Sequence, residues 1–386
     1  MKKKIRVIAI CFIFLVKISF SEVNKDSLLT IISSSNVDTS KVKALLQLSD
    51  CYGDSNPNKA IEYLHKAYLI SKKINNKKCI ADVANQLGNN YYYLGDYDNA
   101  IRNFLETLTA FESINNLEEV ANCYNNIGSV YAEQQNYKKA LEYHFMALKL
   151  KEKNVANGIG DENDIAMSYG NIGQAYYYLN DYTNAMDYYN RSMVISEKTG
   201  NTKRIALMLN NIGSIYAEEK KYDEALSNFT KALKIQQKNE NKRSIAMAFN
   251  NIAEVYLMKK AIKNAINFYN QGLENALIVS DLDDIKNSYD GLHNCYLSLN
   301  DFKNAHNYLE LYYSIKDSIY NSESTAQINE MLSNFELTKK EEDFLLKQKD
   351  DEVNKFWSIS ITVGFFLILI ILLLVFNKYK GKKTPH

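Results

Sequence analysis

Apolar residues along most of this chain recur at alternating spacings of three and four residues, which is the period of an amphipathic helix. Between residues 124 and 150 two such stripes follow each other, separated by a short polar turn at 135–137. The first stripe is Tyr124, Ile127 and Tyr131, and the second is Ala140, Tyr143, Ala147 and Leu150. Asn136 in the turn can accept hydrogen bonds from the N–H groups that open the second helix. The pattern therefore predicts a helix, a turn and a second helix.

This helix–turn–helix pattern repeats along the chain. Residues 125–131 (Asn-Asn-Ile-Gly-Ser-Val-Tyr) return nearly unchanged at 210–216 and more loosely at 250–256, and an Ala follows nine residues after each Tyr. The marker tyrosines, evenly spaced except for a longer interval between the second and the third, are Tyr91, Tyr131, Tyr176, Tyr216, Tyr256 and Tyr296. The alanines are Ala60, Ala100, Ala140, Ala185, Ala225, Ala265 and Ala305. Seven units thus run from about residue 41 to residue 320, and the five extra residues near 157–162 predict a longer loop.

The unit resembles the tetratricopeptide repeat. In the third unit the resemblance rests on Tyr124, Ile127, Gly128, Tyr131, Ala140 and Ala147, with His144 where an aromatic residue is usual. The family's proline after the second helix is absent, and the period is about 40 residues rather than about 34 residues. Both departures are typical of the longer repeat class found in kinesin light chains and in bacterial regulators that bind peptides. The resemblance implies an all-α fold, a right-handed superhelical solenoid of about seven helix pairs over residues 41–323.

Two small residues of each unit have a packing role. Gly128 and Ala140 are predicted to let the two helix backbones of the third unit approach closely, because a larger side chain at either place would push them apart. The first and last units depart from the pattern, with Leu48 and His293 at the glycine position, as expected where a solenoid ends. Residues 22–40 form a polar lead-in, whose short apolar patch is predicted to cap the first unit.

Both ends of the chain carry features of a membrane protein. Residues 1–21 combine an early basic cluster, an apolar run and small residues near position 21, which predicts a secretory signal peptide. Residues 356–376 carry no charge and, at about 1.5 Å per residue, could span a hydrocarbon layer of roughly 30 Å as a transmembrane helix. The tail at 377–386 is basic, so the positive-inside rule places it in the cytoplasm. We therefore expect a single-pass protein of the cell membrane with its repeats on the outer, extracytoplasmic side.

The segment between the repeats and this span has a different character. Residues 324–355 are rich in charge and contain no Gly or Pro, which predicts a charged helix. Such a helix could act as a coiled-coil stem that pairs two copies of the chain into a homodimer. A single solvated helix explains the same pattern, since the heptads are few, and both alternatives stay open.

Composition and scattered reactive residues argue against catalysis and cofactors. The net charge is +1 with no basic stripe, so nucleic acid is not an expected partner. Four cysteines outside the leader lack CxxC pairing and are expected to be small buried hydrophobes; they are Cys51, Cys79, Cys123 and Cys295. The five histidines show no metal-ligand spacing, and no glycine-rich phosphate loop occurs. We expect no cofactor, no metal and no enzymatic activity.

In the family that this chain resembles, the first helices of the units line a concave groove. With the unit's glycine counted as position eight, contacts come from positions two, five, six, nine, twelve and thirteen. Mapping these positions predicts a peptide-binding groove of Asn85, Gln86, Asn89, Tyr92, Tyr93, Asn125, Asn126, Asn171, Gln174, Tyr177, Tyr178, Asn210, Asn211, Asn250, Asn251 and Glu254. In units three and five, positions twelve and thirteen are Ala132-Glu133 and Ala217-Glu218.

The residue types in this groove suggest what it binds. Amide side chains both donate and accept hydrogen bonds, so a column of them can bind the backbone of an extended peptide, and tyrosines add flat amphipathic walls. Family members that clamp an acidic C-terminus use Lys or Arg at positions two, five and six, and this chain has none there. We therefore expect a neutral or basic segment. The alternative is that the asparagines simply bond neighbouring helices or reflect an asparagine-rich genome.

Two functions are compatible with these features. The first is a membrane-anchored protein–protein interaction module that captures a peptide or protein segment, as a signalling sensor or adaptor. The order of leader, repeats, charged helix and span resembles the sensor half of membrane signalling proteins of the Bacteroidetes, without their kinase or DNA-binding output domain. The second is a structural scaffold of a cell-envelope or secretion assembly. Co-purified partners would discriminate between them.

Overall fold

A computed structural model describes residues 25, 27–33, 38–53 and 56–320. Within these residues all regular structure is helical, and from residue 39 onward it forms seven consecutive antiparallel pairs. The helices of the first four pairs are α1 Thr39–Asp50, α2 Pro57–Lys73, α3 Lys77–Tyr93, α4 Tyr97–Ser113, α5 Leu117–Glu133, α6 Tyr137–Ala156, α7 Glu162–Tyr178 and α8 Tyr182–Thr199. Those of the last three are α9 Thr202–Glu218, α10 Tyr222–Lys238, α11 Lys242–Met258, α12 Ile262–Val279, α13 Leu282–Ser298 and α14 Phe302–Tyr320. The predicted helical repeat is therefore confirmed.

The described residues fall into two compact units that divide after Val279. The first unit holds six helix pairs, α1 to α12, and each pair packs against the next along the chain, as in a solenoid. The second unit holds the pair α13 and α14, in which Tyr289 and Ile315 are fully buried. There His293, at the glycine position, donates its Nδ1–H to the carbonyl oxygen of Ala305 at 2.8 Å.

The turns within the repeats follow the predicted capping chemistry. Each helix pair is one repeat, so repeat two consists of α3 and α4. In that repeat, Gly95 adopts a left-handed conformation with φ of 74° after the end of α3. The N–H groups of Asp96 and Gly95 donate back to the carbonyls of Tyr91 and Tyr92, which satisfies the end of that helix. The Asp96 side chain then accepts from the Asn99 N–H and opens α4. Asn136, Asp181 and Asp301 cap their helices in the same way, which confirms the predicted role of these turns.

The long spacing between repeats three and four differs from the prediction in its details. A longer loop was expected to hold all five extra residues. Helix α6 has 20 residues where α4 has 17, and the connection at 157–161 has five residues where 114–116 has three. Three of the extra residues therefore extend a helix, and two lengthen the loop.

The alanine column and the glycine position hold each pair together. Every alanine of the column is buried. A methyl group placed on Gly128 would lie 2.8 Å from the ring of His144, and one on Gly213 would lie 2.8 Å from Phe229. Gly88 and Gly173 meet Phe104 and Tyr189 in the same way. The glycines therefore make room for an aromatic ring of the second helix, whereas the small residues were expected to bring the two helix backbones together.

Outside the repeats, the structure describes part of the lead-in and none of the segments predicted beyond residue 323. Residues 27–33 are helical, and Leu28 is buried against Ala44 and Leu48 of repeat one. Three cysteines are buried as expected, whereas Cys51 is exposed, because it lies in the turn that ends α1. The predicted signal peptide at 1–21, the stem at 324–355, the span at 356–376 and the tail at 377–386 lie outside the described residues.

Within the described residues, no helix combines the length and the apolar character that crossing a membrane requires.

Candidate functional site

The predicted amides lie on the face formed by the first helices, α3, α5, α7, α9 and α11, and several bond from one repeat to the next. Asn126 Nδ2 donates to Asn85 Oδ1 at 3.3 Å, and Asn171 Nδ2 donates to Asn125 Oδ1 at 2.7 Å. Gln86 Nε2 donates to Asp50 Oδ1 at 3.2 Å. The alternative that these side chains link neighbouring helices thus applies to repeats one to four. Each bond uses only part of an amide, so Asn171 keeps its carbonyl oxygen for another donor.

The amides of repeats five and six are less accessible. Asn210 and Asn250 are 3% and 6% exposed, whereas Asn211 and Asn251 are half-buried. Both polar atoms of the Asn210 amide are buried without a hydrogen-bond partner among the described residues. A bound peptide could reach Asn210 or Asn250 only after the side chain turned outward.

Two tyrosine pairs stand on the same face. Tyr92 and Tyr93 meet edge to face with 5.6 Å between ring centroids, and Tyr93 is 84% exposed. Tyr177 and Tyr178 meet in the same way at 5.5 Å. The hydroxyl of Tyr92 donates to Glu133 Oε1 at 3.2 Å. These rings project flat surfaces from the first helices of repeats two and four.

Acidic side chains lie beside both tyrosine pairs. Burial raises the pKa of Tyr92, and the charge of Glu133 raises it further. Burial raises the pKa of Tyr177 to about 12, and the charges of Glu218 and Glu254 add to that shift. Tyr92 and Tyr177 therefore stay protonated as hydrogen-bond donors at neutral pH. Of the remaining predicted residues, Asn89 is half-buried, while Gln174 and Glu254 are exposed.

A cleft of about 250 Å³ lies where repeats two, three and four meet on this face. Four of the predicted residues line it: Tyr92, Asn171, Gln174 and Tyr178. The structure adds Glu133, Tyr137 and His144, which were not among the predicted site residues. Tyr137 opens α6 and stacks on Tyr178 with 5.1 Å between centroids and 13° between planes. A tyrosine recurs at this position as Tyr97, Tyr182 and Tyr222, but the repeat pattern does not show that Tyr137 meets a ring of the next repeat.

His144 forms part of the inner wall of this cleft. Its side chain is buried, and burial followed by the charge of Lys151 lowers its pKa to about 4. Its Nδ1 lies 3.2 Å from Asn125 Oδ1, which already accepts from Asn171, so Nδ1 carries the proton and donates. The imidazole is therefore neutral at physiological pH.

The reactive side chains of the described residues are dispersed. Among them, no three His, Cys, Asp or Glu side chains come together as a metal site would require. The chemistry of the site is that of hydrogen bonds, ring faces and carboxylates.

Comparison with known proteins places the repeats in a family. A family model described as tetratricopeptide repeat matches residues 41–113, 79–153 and 204–278, and a second model of the same description matches 166–199. Together they cover more than half of the chain. No curated protein matches it.

Solved structures share the fold at low sequence identity. The Rap conjugation gene regulator of the plasmid pLS20, in complex with the Phr* peptide, is 15% identical with a TM-score of 0.50 over 72% of this chain and 96% of its own. Aspartyl phosphate phosphatase F of Bacillus subtilis is 15% identical with a TM-score of 0.58 over 76% and 73%. A signal transduction ATPase of Pyrococcus horikoshii with a tetratricopeptide repeat sensor is 15% identical with a TM-score of 0.57 over 85% and 47%.

Proposed function

Because this chain belongs to the tetratricopeptide repeat family, we propose that it is a membrane-anchored interaction module. Its first-helix face binds an extended, neutral or basic segment of a peptide or protein. It works by binding rather than by catalysis, as a sensor or adaptor. The observation that carries this proposal is the row of amides and tyrosines along the first helices.

The amide row suits an extended backbone because its spare polar atoms follow one another from repeat to repeat. The bonds from Asn126 to Asn85 and from Asn171 to Asn125 fix the orientation of those side chains in advance. A side chain that is already ordered loses less conformational entropy when a ligand binds. Donors and acceptors held in this way can bond peptide N–H and C=O groups whatever the side chains of the ligand.

The charges on this face favour neutral or basic ligands. Glu133, Glu218 and Glu254 all lie near its tyrosines. Position two, one of the positions where family members place a cation for an acidic terminus, holds Asp82, Asn122, Met167, Leu207 and Met247 in repeats two to six. A carboxylate ligand would meet repulsion from these glutamates, whereas a basic ligand gains complementarity.

Similar folds lend support of a general kind. The pLS20 regulator was solved with a bound peptide, and the Pyrococcus protein carries its repeats as a sensor. The Bacillus phosphatase shows that the same fold also occurs in a protein named for an enzymatic activity. A sequence identity of 15% supports a shared fold and nothing more. The proposed class of ligand is therefore argued from the residues of this chain.

The membrane part of the proposal rests on the sequence at 1–21 and 356–376. In this arrangement the repeats lie outside the cell membrane, and the basic tail lies in the cytoplasm. The charged segment at 324–355 joins the two and could pair copies of the chain. A sensor of this layout passes its signal to a separate output protein.

A peptide array tests the binding proposal. The full chain is applied to immobilised peptides of acidic, neutral and basic composition with free and blocked C-termini. We expect retention of neutral and basic peptides, and weaker retention by Asn171→Leu than by the wild type. Asn190→Leu, which changes an exposed residue of α8, is the matched control and should bind normally. A clear preference for acidic C-termini would contradict the proposal.

Protease added to intact spheroplasts tests the orientation. Digestion of the repeats while the C-terminal tail stays protected is the expected result, and an undigested repeat region would contradict it. Cross-linking and co-purification from native membranes then separate the two roles. A kinase or regulator partner favours the sensor, and a stoichiometric envelope complex favours a scaffold.

A further inference from the structure

The cleft at repeats two to four combines ring faces with a carboxylate. Tyr137 and Tyr178 stack in parallel, and both line the cleft together with Tyr92. The Tyr92 hydroxyl donates to Glu133 Oε1 at 3.2 Å, which holds that carboxylate at the cleft. Burial, the neighbouring Tyr178 and the charge of Glu133 raise the pKa of Tyr137, which also lines the cleft with that carboxylate. Aromatic faces around a carboxylate are the arrangement that attracts an organic cation.

The balance of charge in the cleft is negative. Among the described residues that line it, none is Lys or Arg, and Glu133 is the only carboxylate. His144 is neutral, because its pKa is held near 4 by burial. An entering cation would therefore meet one uncompensated negative charge and no positive one within the lining.

We propose that this cleft binds a single arginine side chain of the peptide, a specificity that rests on the proposed function of the groove. A guanidinium is planar and stacks on a tyrosine ring while it donates to a carboxylate. Its five N–H donors need several acceptors, and the cleft offers Glu133 together with the amide oxygens of Asn171 and Gln174. Lysine brings three donors on a compact charge and uses the flat walls less well.

The size of the cleft agrees with a side chain rather than a whole small molecule. Its volume of about 250 Å³ lies below the usual range of about 300–1,000 Å³ for pockets that bind drug-sized ligands. The tyrosine–glutamate pairing also recurs along the same face. Tyr177 precedes Glu218 by the same number of residues as Tyr92 precedes Glu133. The charge of Glu218 adds to the burial that raises the pKa of Tyr177. The pairing is therefore a feature of alternate repeats.

Isosteric peptides test the proposal. The probes are blocked peptides of Ser, Gly and Ala with one central residue, which is arginine, its neutral isostere citrulline, or lysine. Binding to the full chain is measured by fluorescence anisotropy of a labelled peptide. We expect the arginine peptide to bind about tenfold more tightly than the citrulline peptide, and more tightly than the lysine peptide.

Variants of the chain test whether the preference for the arginine peptide over the citrulline peptide arises in the cleft. Glu133→Gln should bring the arginine-to-citrulline ratio close to one, while Glu142→Gln, which removes one exposed charge from α6, should leave it unchanged. Tyr178→Leu should lower the ratio without touching any charge. Thermal unfolding of each variant verifies that it is folded.

The outcomes separate this inference from the wider function. A wild-type ratio near one, or a ratio that survives Glu133→Gln, overturns the arginine site while peptide binding by the groove stands. If no peptide of any composition binds, the proposed function fails and the arginine site fails with it.

Discussion

The first helices of repeats three and five end with nearly the same segment, but its asparagine has different partners in the two repeats. Residues 125–133 and 210–218 differ only at Val130 and Ile215. In repeat three the Asn125 amide oxygen accepts hydrogen bonds from His144 and Asn171. In repeat five the matching Asn210 is buried with neither polar atom bonded among the described residues.

The difference arises on the second helix. The ring that fills the space above the glycine is His144 in repeat three and Phe229 in repeat five. An imidazole can donate to the neighbouring asparagine, and a phenyl ring cannot. The residue at this position of the second helix thus decides whether the asparagine of a nearly identical first-helix segment has this donor.

At a second pair of equivalent positions both repeats hold a buried polar atom without a hydrogen-bond partner among the described residues, Nζ of Lys151 and Oε1 of Gln236, and the difference between them is one of charge. Lys151 of α6 and Gln236 of α10 are 4% and 5% exposed. Burial lowers the pKa of Lys151, and the charge of Arg204 lowers it further, while Asp164 acts in the opposite direction. Repeat three therefore holds two buried titratable groups where repeat five holds none at these positions.

The largest expected effect is on the pH dependence of stability. The folded state lowers the pKa of His144 from 6.5 to about 4, so between these values the unfolded chain binds more protons. Stability contributed by the neutral ring is full above pH 6.5 and is lost as the pH falls toward 4, by about 3 kcal/mol. His144→Phe, which copies repeat five, should abolish this part of the dependence. Urea unfolding at pH 7 and pH 4 measures it.

Carboxyl groups in proteins generally gain protons in the same pH range. The role of His144 is therefore measured by the difference in the pH dependence of unfolding between the wild type and the variant. Phe229→His is the reciprocal change and should introduce a similar acid sensitivity into repeat five while giving Asn210 a donor. If the free energy of unfolding of His144→Phe depends on pH as steeply as that of the wild type, His144 does not cause the acid sensitivity.

Replacing Asn210 or Asn125 by leucine should change the stability of the chain in opposite directions. Asn210→Leu removes a buried amide without partners and should stabilise the chain by about 1–2 kcal/mol. Asn125→Leu leaves the donors of His144 and Asn171 unpaired and should destabilise it by about 1–3 kcal/mol. Chemical denaturation at pH 7 measures both, and changes of the same sign would break the contrast between the repeats.

The smallest effect is expected at Lys151. Lys151→Met keeps a long flexible side chain and removes a buried ammonium without a hydrogen bond, so it should raise the free energy of unfolding by about 1 kcal/mol. Lys149→Met changes an exposed residue of the same helix and should alter stability by less than about 0.5 kcal/mol. A loss of stability in Lys151→Met alone would show that Asp164 and the cation form a favourable pair.

Much of the fold could be predicted because its signals are local. Helix period, capping Asn and Asp residues and the recurring Ala each act within one unit, and seven copies reinforce one another. The sequence did not predict how the five extra residues before α7 are shared between the end of α6 and the loop that follows it. Extending a helix and lengthening a loop differ little in local energy. The exposure of Cys51 also depended on where α1 ended.

The candidate site was predictable as a face and not as a pocket. Tyr92, Asn171, Gln174 and Tyr178 were on the predicted face, but nothing local joined them to Tyr137 or His144. Those contacts join different repeats or different helices of a pair. They depend on how far each repeat rotates relative to the last.

The sequence by itself determined that this protein is a series of helix pairs, which residues are small or capping, and which face carries amides and tyrosines. Period and turn chemistry are encoded in neighbouring residues, so they survive without knowledge of the rest. Only the tertiary structure decided that Glu133 sits among three tyrosines and that Asn125 and Asn210 differ. Hydrogen bonds and ring contacts act over a few ångströms, and residues of different repeats come that close only through packing.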